Sequence, residues 1–377
     1  MIKCEDFFTI LKKKDLTFFT GIPDSTFKDW MKFLCDNHDI SLINLIACNE
    51  CEAIALAAGY HFSTEKIGIV YMQNSGLGKA VNPLTSLCDP DVYSIPILLI
   101  IGWRGEPGKI DAPQHKKMGK ITLPLLETLN IPYNVLEPNL NDVENKIEIA
   151  LNHLMEKKAP YAFIIKRNFF TEYSVKQEKT NGYELIREEA IKTIMENLDE
   201  NTLIVSTTGY TSRELFEYRE QTKKDHFRSF YNIGSMGCVS SIGLSIALNR
   251  KEKVVILDGD GAAIMQMGAF TTIGKYSPSN LLHVIFDNQA HETTGGQPTN
   301  SSSVDLLEVA LACNYKSGQI VKTKEELVDT LKNFKNKIGP ILLLIKIKQG
   351  SRSDLKRPDK PPIEYKQEFM KYLRGKR

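Results

Sequence analysis

Short runs of β-branched and aliphatic residues recur along the chain between stretches of helical character, and they fall into two sets. The first is 17-TFFTG-21, 42-LINLIA-47, 67-IGIVYMQ-73, 95-IPILLIIG-102, 131-IPYNVL-136 and 161-YAFIIK-166; the second is 203-LIVST-207, 254-VVILD-258, 282-LHVIFD-287 and 341-ILLLIKI-347. Most runs are apolar at nearly every position rather than at alternate ones, so the strands are covered on both faces, as in a parallel sheet flanked by helices. This predicts an α/β chain with two parallel-sheet domains. The polar, aperiodic stretch 169–184 reads as a linker between domains at 1–168 and 185–377. The second domain closes with a basic, proline-containing arm from 348 that ends in a short helix. The clearest helices are 50–61, 212–220, 238–248, 262–275 and 324–335, and no 20–50-residue repeat points to a solenoid.

Charge narrows the function classes. With 48 Lys+Arg against 46 Asp+Glu, the net charge of +2 gives no general footprint for nucleic acid or a membrane surface. No apolar run reaches the roughly 18 residues of a membrane span, and the N-terminus has no signal-peptide pattern, so a cytoplasmic protein is expected. Seven cysteines spread over 377 residues fit reduced thiols better than a disulfide framework, and the single C-x-x-C at Cys48 and Cys51 is a weak zinc or redox signal.

The most specific chemistry lies in 254-VVILDGDGAAIMQMGAF-270 followed by 283-HVIFDNQAHETTGGQPT-299. A strand ends at Gly259-Asp260-Gly261, a helix follows, and the next strand ends at Asp287-Asn288. That length fits one strand-helix-strand crossover, which sets Asp260 beside Asn288 at the carboxyl edge of a sheet. A carboxylate and an amide oxygen there suit Mg²⁺, which keeps few protein ligands when phosphates fill the rest of its shell. The glycines permit close backbone approach, and the N–H groups at Ala262 and Ala263 can face a phosphate. A G-D-G is also what a strand-ending turn with a capping aspartate needs, so a Mg²⁺-nucleotide module remains an alternative. The absence of G-x-G-x-x-G after a strand argues against a dinucleotide binder.

G-D-G followed one crossover later by an Asn resembles the thiamine-diphosphate-dependent enzymes. The resemblance implies two Rossmann-like domains, thiamine diphosphate as cofactor, and Mg²⁺ held by Asp260, Asn288 and the carbonyl of Ala290. Asp287 stands where the family usually has a first Asn, which is not a ligand. Such enzymes also need a glutamate at N1′ of the cofactor's aminopyrimidine, early in a helix and in apolar surroundings. In 49-NECEAIALAAGYH-61, Glu50 matches the family's E-x-x-A-x-x-x-A-x-G-Y helix. In 230-FYNIGSMGC-238, Met236 matches the side chain wedged under the cofactor and the Gly234 carbonyl its amino-group acceptor. In 206-STTGYTSREL-215, Thr208 and Thr211 match diphosphate-facing hydroxyls, for which helix capping is the competing reading.

The order of the halves, and a linker with no room for a middle domain, resemble the short 2-oxo-acid decarboxylases acting on 3-phosphonopyruvate and 3-sulfopyruvate. The stretches 20-TGIPDS-25, 72-MQNSGLGKAVNPLTSL-87, 102-GWRGEPG-108, 113-PQHKKMGKIT-122 and 350-GSRSDLKRP-358 carry this resemblance, most strongly to the 3-phosphonopyruvate branch. It implies a substrate site of Asp24, Ser25, Asn74, Ser75, Arg104, Lys109 and His115, with Asp24 and His115 as proton-handling groups. It also implies a homo-oligomer, at least a dimer, with active sites shared between copies. The cations of 102–120 suit an anionic tail, although charged surface loops have the same composition.

Overall fold

Six strands in the first half of the chain pair only in parallel: β1 (Phe18–Gly21), β2 (Ile43–Ile46), β3 (Gly68–Gln73), β4 (Ile97–Gly102), β5 (Tyr133–Leu136) and β6 (Tyr161–Ile165), in the order β2-β1-β3-β4-β6-β5. This computed structural model describes residues 1–176 and 180–375. Helices α1 (Cys4–Lys13), α2 (Lys28–Asp36), α3 (Glu50–Thr64), α4 (Leu77–Ser86), α5 (Pro113–Thr128) and α6 (Leu140–Lys157) accompany the sheet. Every residue of central β4 is buried, whereas edge strand β2 leaves Ile43 and Leu45 exposed. The core is aromatic, with Trp30 fully buried, Phe7 edge-on to it at 5.1 Å and Phe170 stacked on it at 5.5 Å.

The second half repeats the plan. Strands β7 (Leu203–Ser206), β8 (Ser229–Tyr231), β9 (Val254–Gly259), β10 (Leu281–Asp287), β13 (Ser317–Val321) and β14 (Ile341–Lys346) lie in the order β13-β14-β10-β9-β7-β8, all parallel. Between β10 and β13 comes a small ribbon, β11 (Ala290–His291) with β12 (Gln297–Pro298). The helices are α7 (Arg187–Asn197), α8 (Tyr210–Gln221), α9 (Val239–Asn249), α10 (Asp260–Met265), α11 (Gly268–Tyr276), α12 (Leu306–Ala312), α13 (Lys324–Phe334) and α14 (Pro362–Gly375). The chain divides into two units, Met1–Glu178 with His291–Pro298 and Lys179–Ala290 with Thr299–Arg377.

Three local differences from the sequence reading have physical causes. The single helix expected at 262–275 is two, because Gln266 leaves helical backbone (φ −129°, ψ 42°) and packs its Cγ where a Cβ on Gly237 would stand. Strands β8 and β13 went unrecognised: the first has only three residues, and the second, SGQIV, is a half-exposed edge strand with a glycine. The C-terminal helix is 14 residues long and buries Tyr365 and Phe369. In the stretch read as a linker, Phe169 and Phe170 enter the first core; residues 177–179 lie outside the described residues, as do 376 and 377 at the end of the arm.

Candidate active site

The sheet of the first unit brings the expected residues to one edge. Glu50 opens α3 just after β2, Asp24 and Ser25 follow β1, Asn74 and Ser75 follow β3, and Arg104 follows β4. Adjacent strands lie about 4.8 Å apart, so the row is set by strand order, and the carboxyl edge is where open α/β sheets bind ligands.

Glu50 is buried at the first position of a helix whose N-cap, Asn49, accepts a hydrogen bond from the Glu52 N–H. Ala53, Ala57 and Ala58 are buried on the same face of α3 as Glu50, and a Cβ on Gly68 of β3 would stand 3.0 Å from that of Ala57. Glu50 Oε2 is buried without a hydrogen bond, and the Lys79 ammonium is 4.0 Å away. Gly76 makes room for the carboxyl, since a Cβ there would lie 2.4 Å from Oε1.

Asp24 is fully buried. Its Oδ1 accepts from the Thr26 N–H at 3.0 Å and the Thr26 hydroxyl at 3.2 Å, while Oδ2 has no partner and fills the space a Cβ on Gly102 would need. Burial pushes its pKa up from 3.8 to about 6, against the opposing pull of Thr26, Arg104 and Arg167. A carboxyl raised in the fold stabilises while protonated, and that stability is lost as pH rises from its unfolded value through the folded one. Asp24→Asn, which keeps the Thr26 acceptor, is therefore expected to raise the melting temperature at pH 8. The gain is on the order of 3 kcal/mol at ~1.4 kcal/mol per pKa unit, and it disappears near pH 4. An equal gain at both pH values would refute this assignment of cost.

Asn74 is fully engaged: its amide donates to the Arg104 carbonyl at 2.8 Å and the Thr122 hydroxyl at 2.9 Å, and its Oδ1 accepts from Arg104 N at 3.3 Å. It pins the turn after β4. Ser75 is exposed and accepts from Gln73 Nε2. His115 is buried in the first turn of α5, with Gln114 Nε2 3.4 Å from its Nε2. Arg104 donates Nε and Nη2 to Asp111 (2.9 and 2.7 Å) and Nη1 to Ser25 (2.7 Å). Lys109, Lys116, Lys117 and Lys120 are exposed, so the cations of 102–120 divide into one held arginine and several solvated ammonium groups.

In the second unit, β9 and β10 are neighbours in register, and Asp260 and Asn288 follow their ends as the crossover length requires. Asp260 is buried; burial first, and the charge of Asp287 next, push its carboxyl up to about 7. Thr299 donates its hydroxyl to Asp260 Oδ2 at 2.5 Å, and Ser301 donates to Asp287 Oδ1 at 2.8 Å. Lys346 pairs with Asp287 at 2.5 Å, directly opposite it in the β10–β14 register. Asn288 Oδ1 faces the Ala290 N–H at 3.0 Å, and Gln289 between them holds φ at +61°.

Gly259 and Gly261 flank Asp260, and Ala262 and Ala263 are buried in α10. The Thr208 hydroxyl accepts from the Gly234 N–H at 3.0 Å, tying together the turns after β7 and β8, and Thr211 is buried in the first turn of α8. Gly234 is at φ +73°, and its carbonyl accepts from Asn232; Met236 is half-buried in the same turn. A buried acid without hydrogen-bonded Oε2 in one unit, and in the other a crowded acid pair in which Lys346 neutralises Asp287 and leaves Asp260 beside hydroxyl and amide oxygens, fit the cofactor and the hard cation. Among the described residues no three His, Cys, Asp or Glu side chains gather as a metal cluster, so a cation here would need amide, carbonyl and ligand oxygens beside the Asp260 carboxylate.

The sequence reading missed Asp111, Arg167, Thr299, Ser301 and Lys346. Lys346 was legible from strand register alone; the others reach the site through turns whose course the sequence does not mark.

The class follows from the fold and the family descriptions it meets. Residues 4–118 match "Thiamine pyrophosphate enzyme, N-terminal TPP binding domain" and 207–345 match "Thiamine pyrophosphate enzyme, C-terminal TPP binding domain". Phosphonopyruvate decarboxylase of Streptomyces hygroscopicus is 32% identical over 99% of this chain and 94% of its own length, and that of Streptomyces viridochromogenes is 33% identical over 87% and 85%. Sulfopyruvate decarboxylase subunit beta of Methanocaldococcus jannaschii is 42% identical over 41% of this chain and 77% of its own. The chain belongs to the phosphonopyruvate decarboxylase family of thiamine-diphosphate-dependent enzymes and is a decarboxylase of a 2-oxo acid. The nucleotide-module alternative is set aside. No helix among the described residues is long and apolar enough to cross a membrane.

Proposed function

We propose that the chain decarboxylates 3-phosphonopyruvate to phosphonoacetaldehyde and CO₂ with thiamine diphosphate and Mg²⁺, in phosphonate biosynthesis in the cytoplasm. The observation that carries this reading is the Arg104 guanidinium held against Ser25, beside buried Asp24, on the sheet edge that also carries Glu50. A guanidinium there supplies the positive charge an anionic tail calls for, while Asp111 holds its Nε–Nη2 edge in place. Bound thiamine diphosphate supplies the electron sink that stabilises the carbanion left by departing CO₂.

The chain's own residues do the rest. Glu50 holds a proton at Oε2 for the aminopyrimidine, and Asp24 or His115 delivers a proton on the substrate side. Asp260, Asn288 and the Ala290 carbonyl would hold Mg²⁺. Thr208, Thr211 and the backbone at Gly259, Gly261 and Ala262 would face the diphosphate, with Met236 as wedge and the Gly234 carbonyl as acceptor. Asn74, Ser75 and Lys109 complete the substrate surroundings.

A homo-oligomer, at least a dimer with shared active sites, is part of the proposal. An exposed apolar groove lined by Leu45, Ala55, Leu56, Gly59 and Tyr60 runs along α3, the helix that bears Glu50, and suits a second copy. The test is kcat/KM for phosphonopyruvate, sulfopyruvate and pyruvate on one preparation. Two charge-assisted hydrogen bonds to the tail, at about 1.5–3 kcal/mol each, predict a preference over pyruvate of at least about two orders of magnitude. Equal values would refute the anionic-tail reading. A preference for sulfopyruvate would favour the second reading, which the 42% identity to a sulfopyruvate decarboxylase subunit keeps in play.

A further inference from the structure

The bidentate edge of Arg104 is taken, because Asp111 accepts from its Nε and Nη2, and Ser25 accepts from Nη1, which leaves one N–H on each Nη. A second guanidinium stands on the same carboxylate: Arg167 donates Nη2 to Asp111 Oδ1 at 2.8 Å. The two ion pairs differ in access. Arg104 is 12% exposed and Asp111 5%, but Arg167 is 50% exposed. Among the described residues, Nε and Nη1 of Arg167 make no hydrogen bond to the protein. Arg167 follows β6, and β6 is bonded to β4, whose end carries Arg104; the Trp103 N–H to Ile165 carbonyl bond of 2.9 Å joins those ends. The side chain thus extends the row Glu50, Asp24, Asn74, Arg104 by one strand.

Asp111 is built as the anchor. Besides the two arginines it accepts from the backbone N–H of Gly105 at 2.9 Å and of Ala112 at 2.7 Å. Burial opposes its charge, yet these donors hold the carboxyl well below its usual range, so it stays an anion and keeps both guanidinium groups in place. One carboxylate against two arginines leaves one net positive charge, carried on the exposed partner.

We infer that Arg167 is a specificity-determining residue that binds the charged tail of the 2-oxo acid, and that Asp111 positions it, with Arg104 as a brace. This rests on the proposed function. If Arg167 merely tied down the chain after β6, its loss would weaken every substrate alike.

The experiment compares the wild-type holoenzyme with Arg167→Ala and Arg167→Lys on phosphonopyruvate, sulfopyruvate and pyruvate, with melting temperatures as a fold control. In Arg167→Ala, kcat/KM for phosphonopyruvate should fall about 10- to 100-fold, mostly through KM, while pyruvate stays within about twofold. Arg167→Lys should recover part of the loss, since an ammonium keeps charge but not the fork. Equal losses on all three acids, or none on either anionic acid, would overturn the inference. The wild-type ranking separately judges the phosphonate reading: a preference for sulfopyruvate removes that reading and leaves the Arg167 contrast to be read on the sulfonate.

Discussion

Replacing Glu50 by Gln is expected to slow exchange of the cofactor's C2 proton by about two to four orders of magnitude, the usual range for one general acid–base group, while thiamine diphosphate still binds. The structure separates the two effects. Glu50 lies at the start of α3, whose cap is Asn49 and whose packing uses Ala53, Ala57 and Ala58, so the helix does not depend on the carboxyl. The atom at stake is Oε2, buried and without a hydrogen bond; an amide fills the same volume but is no acid at that position. Exchange followed by NMR on cofactor-loaded protein reads this step alone. Unchanged exchange in the variant would remove Glu50 from the role. A second change reaches the same group from outside: a methyl at Gly76 would meet Oε1 at 2.4 Å, so Gly76→Ala should also slow exchange by displacing the carboxyl rather than altering its chemistry.

How far the sequence anticipates this site depends on how each residue arrives there. Asp260 and Asn288 stand at two ends of one crossover, and a crossover has a length; their juxtaposition could be read because β9 and β10 have no other way to pair within so short a span. Glu50 was legible for a similar reason, since its helix is marked by small residues at fixed spacing. The setting of Arg104 was not. Composition showed cations at 102–120, but only the folded turn reveals that Asp111 neutralises one of them while four lysines point to solvent. The same holds for Thr299 and Ser301, which meet Asp260 and Asp287 after a loop of irregular backbone with no periodicity to follow. Parallel pairing is encoded in hydrophobic runs, whereas the partners of a buried charge come from turns, where one residue's φ decides the path; Gln289 at +61° is such a point.

Asp260→Asn is expected to improve the fold and disable the site. In the cofactor-free protein, burial and the charge of Asp287 raise the Asp260 carboxyl from 3.8 to about 7, so its anion is costly where it stands. A group raised in this way contributes stability below its unfolded value, and that contribution is lost as pH rises through the folded one. The neutral amide escapes the loss and can still accept from the Thr299 hydroxyl. Cofactor-free Asp260→Asn should therefore melt above the wild type at pH 8, with the difference closing toward pH 4. Loading the cofactor should invert the order. A ligand at a hundredfold excess over its Kd stabilises by about 2.7 kcal/mol, and the wild type should gain this on addition of thiamine diphosphate with Mg²⁺. The variant has lost the one carboxylate proposed to face the cation, and hard cations discriminate strongly between a charged oxygen and an amide. Its thermal shift should nearly vanish and calorimetric affinity should fall by orders of magnitude, with no need to measure turnover. A variant that kept the full Mg²⁺-dependent shift would place the cation elsewhere. One that melted below the wild type at pH 8 without cofactor would show that the acid pair, far from being held at a cost until a cation arrives, is part of what stabilises the β9–β10 edge.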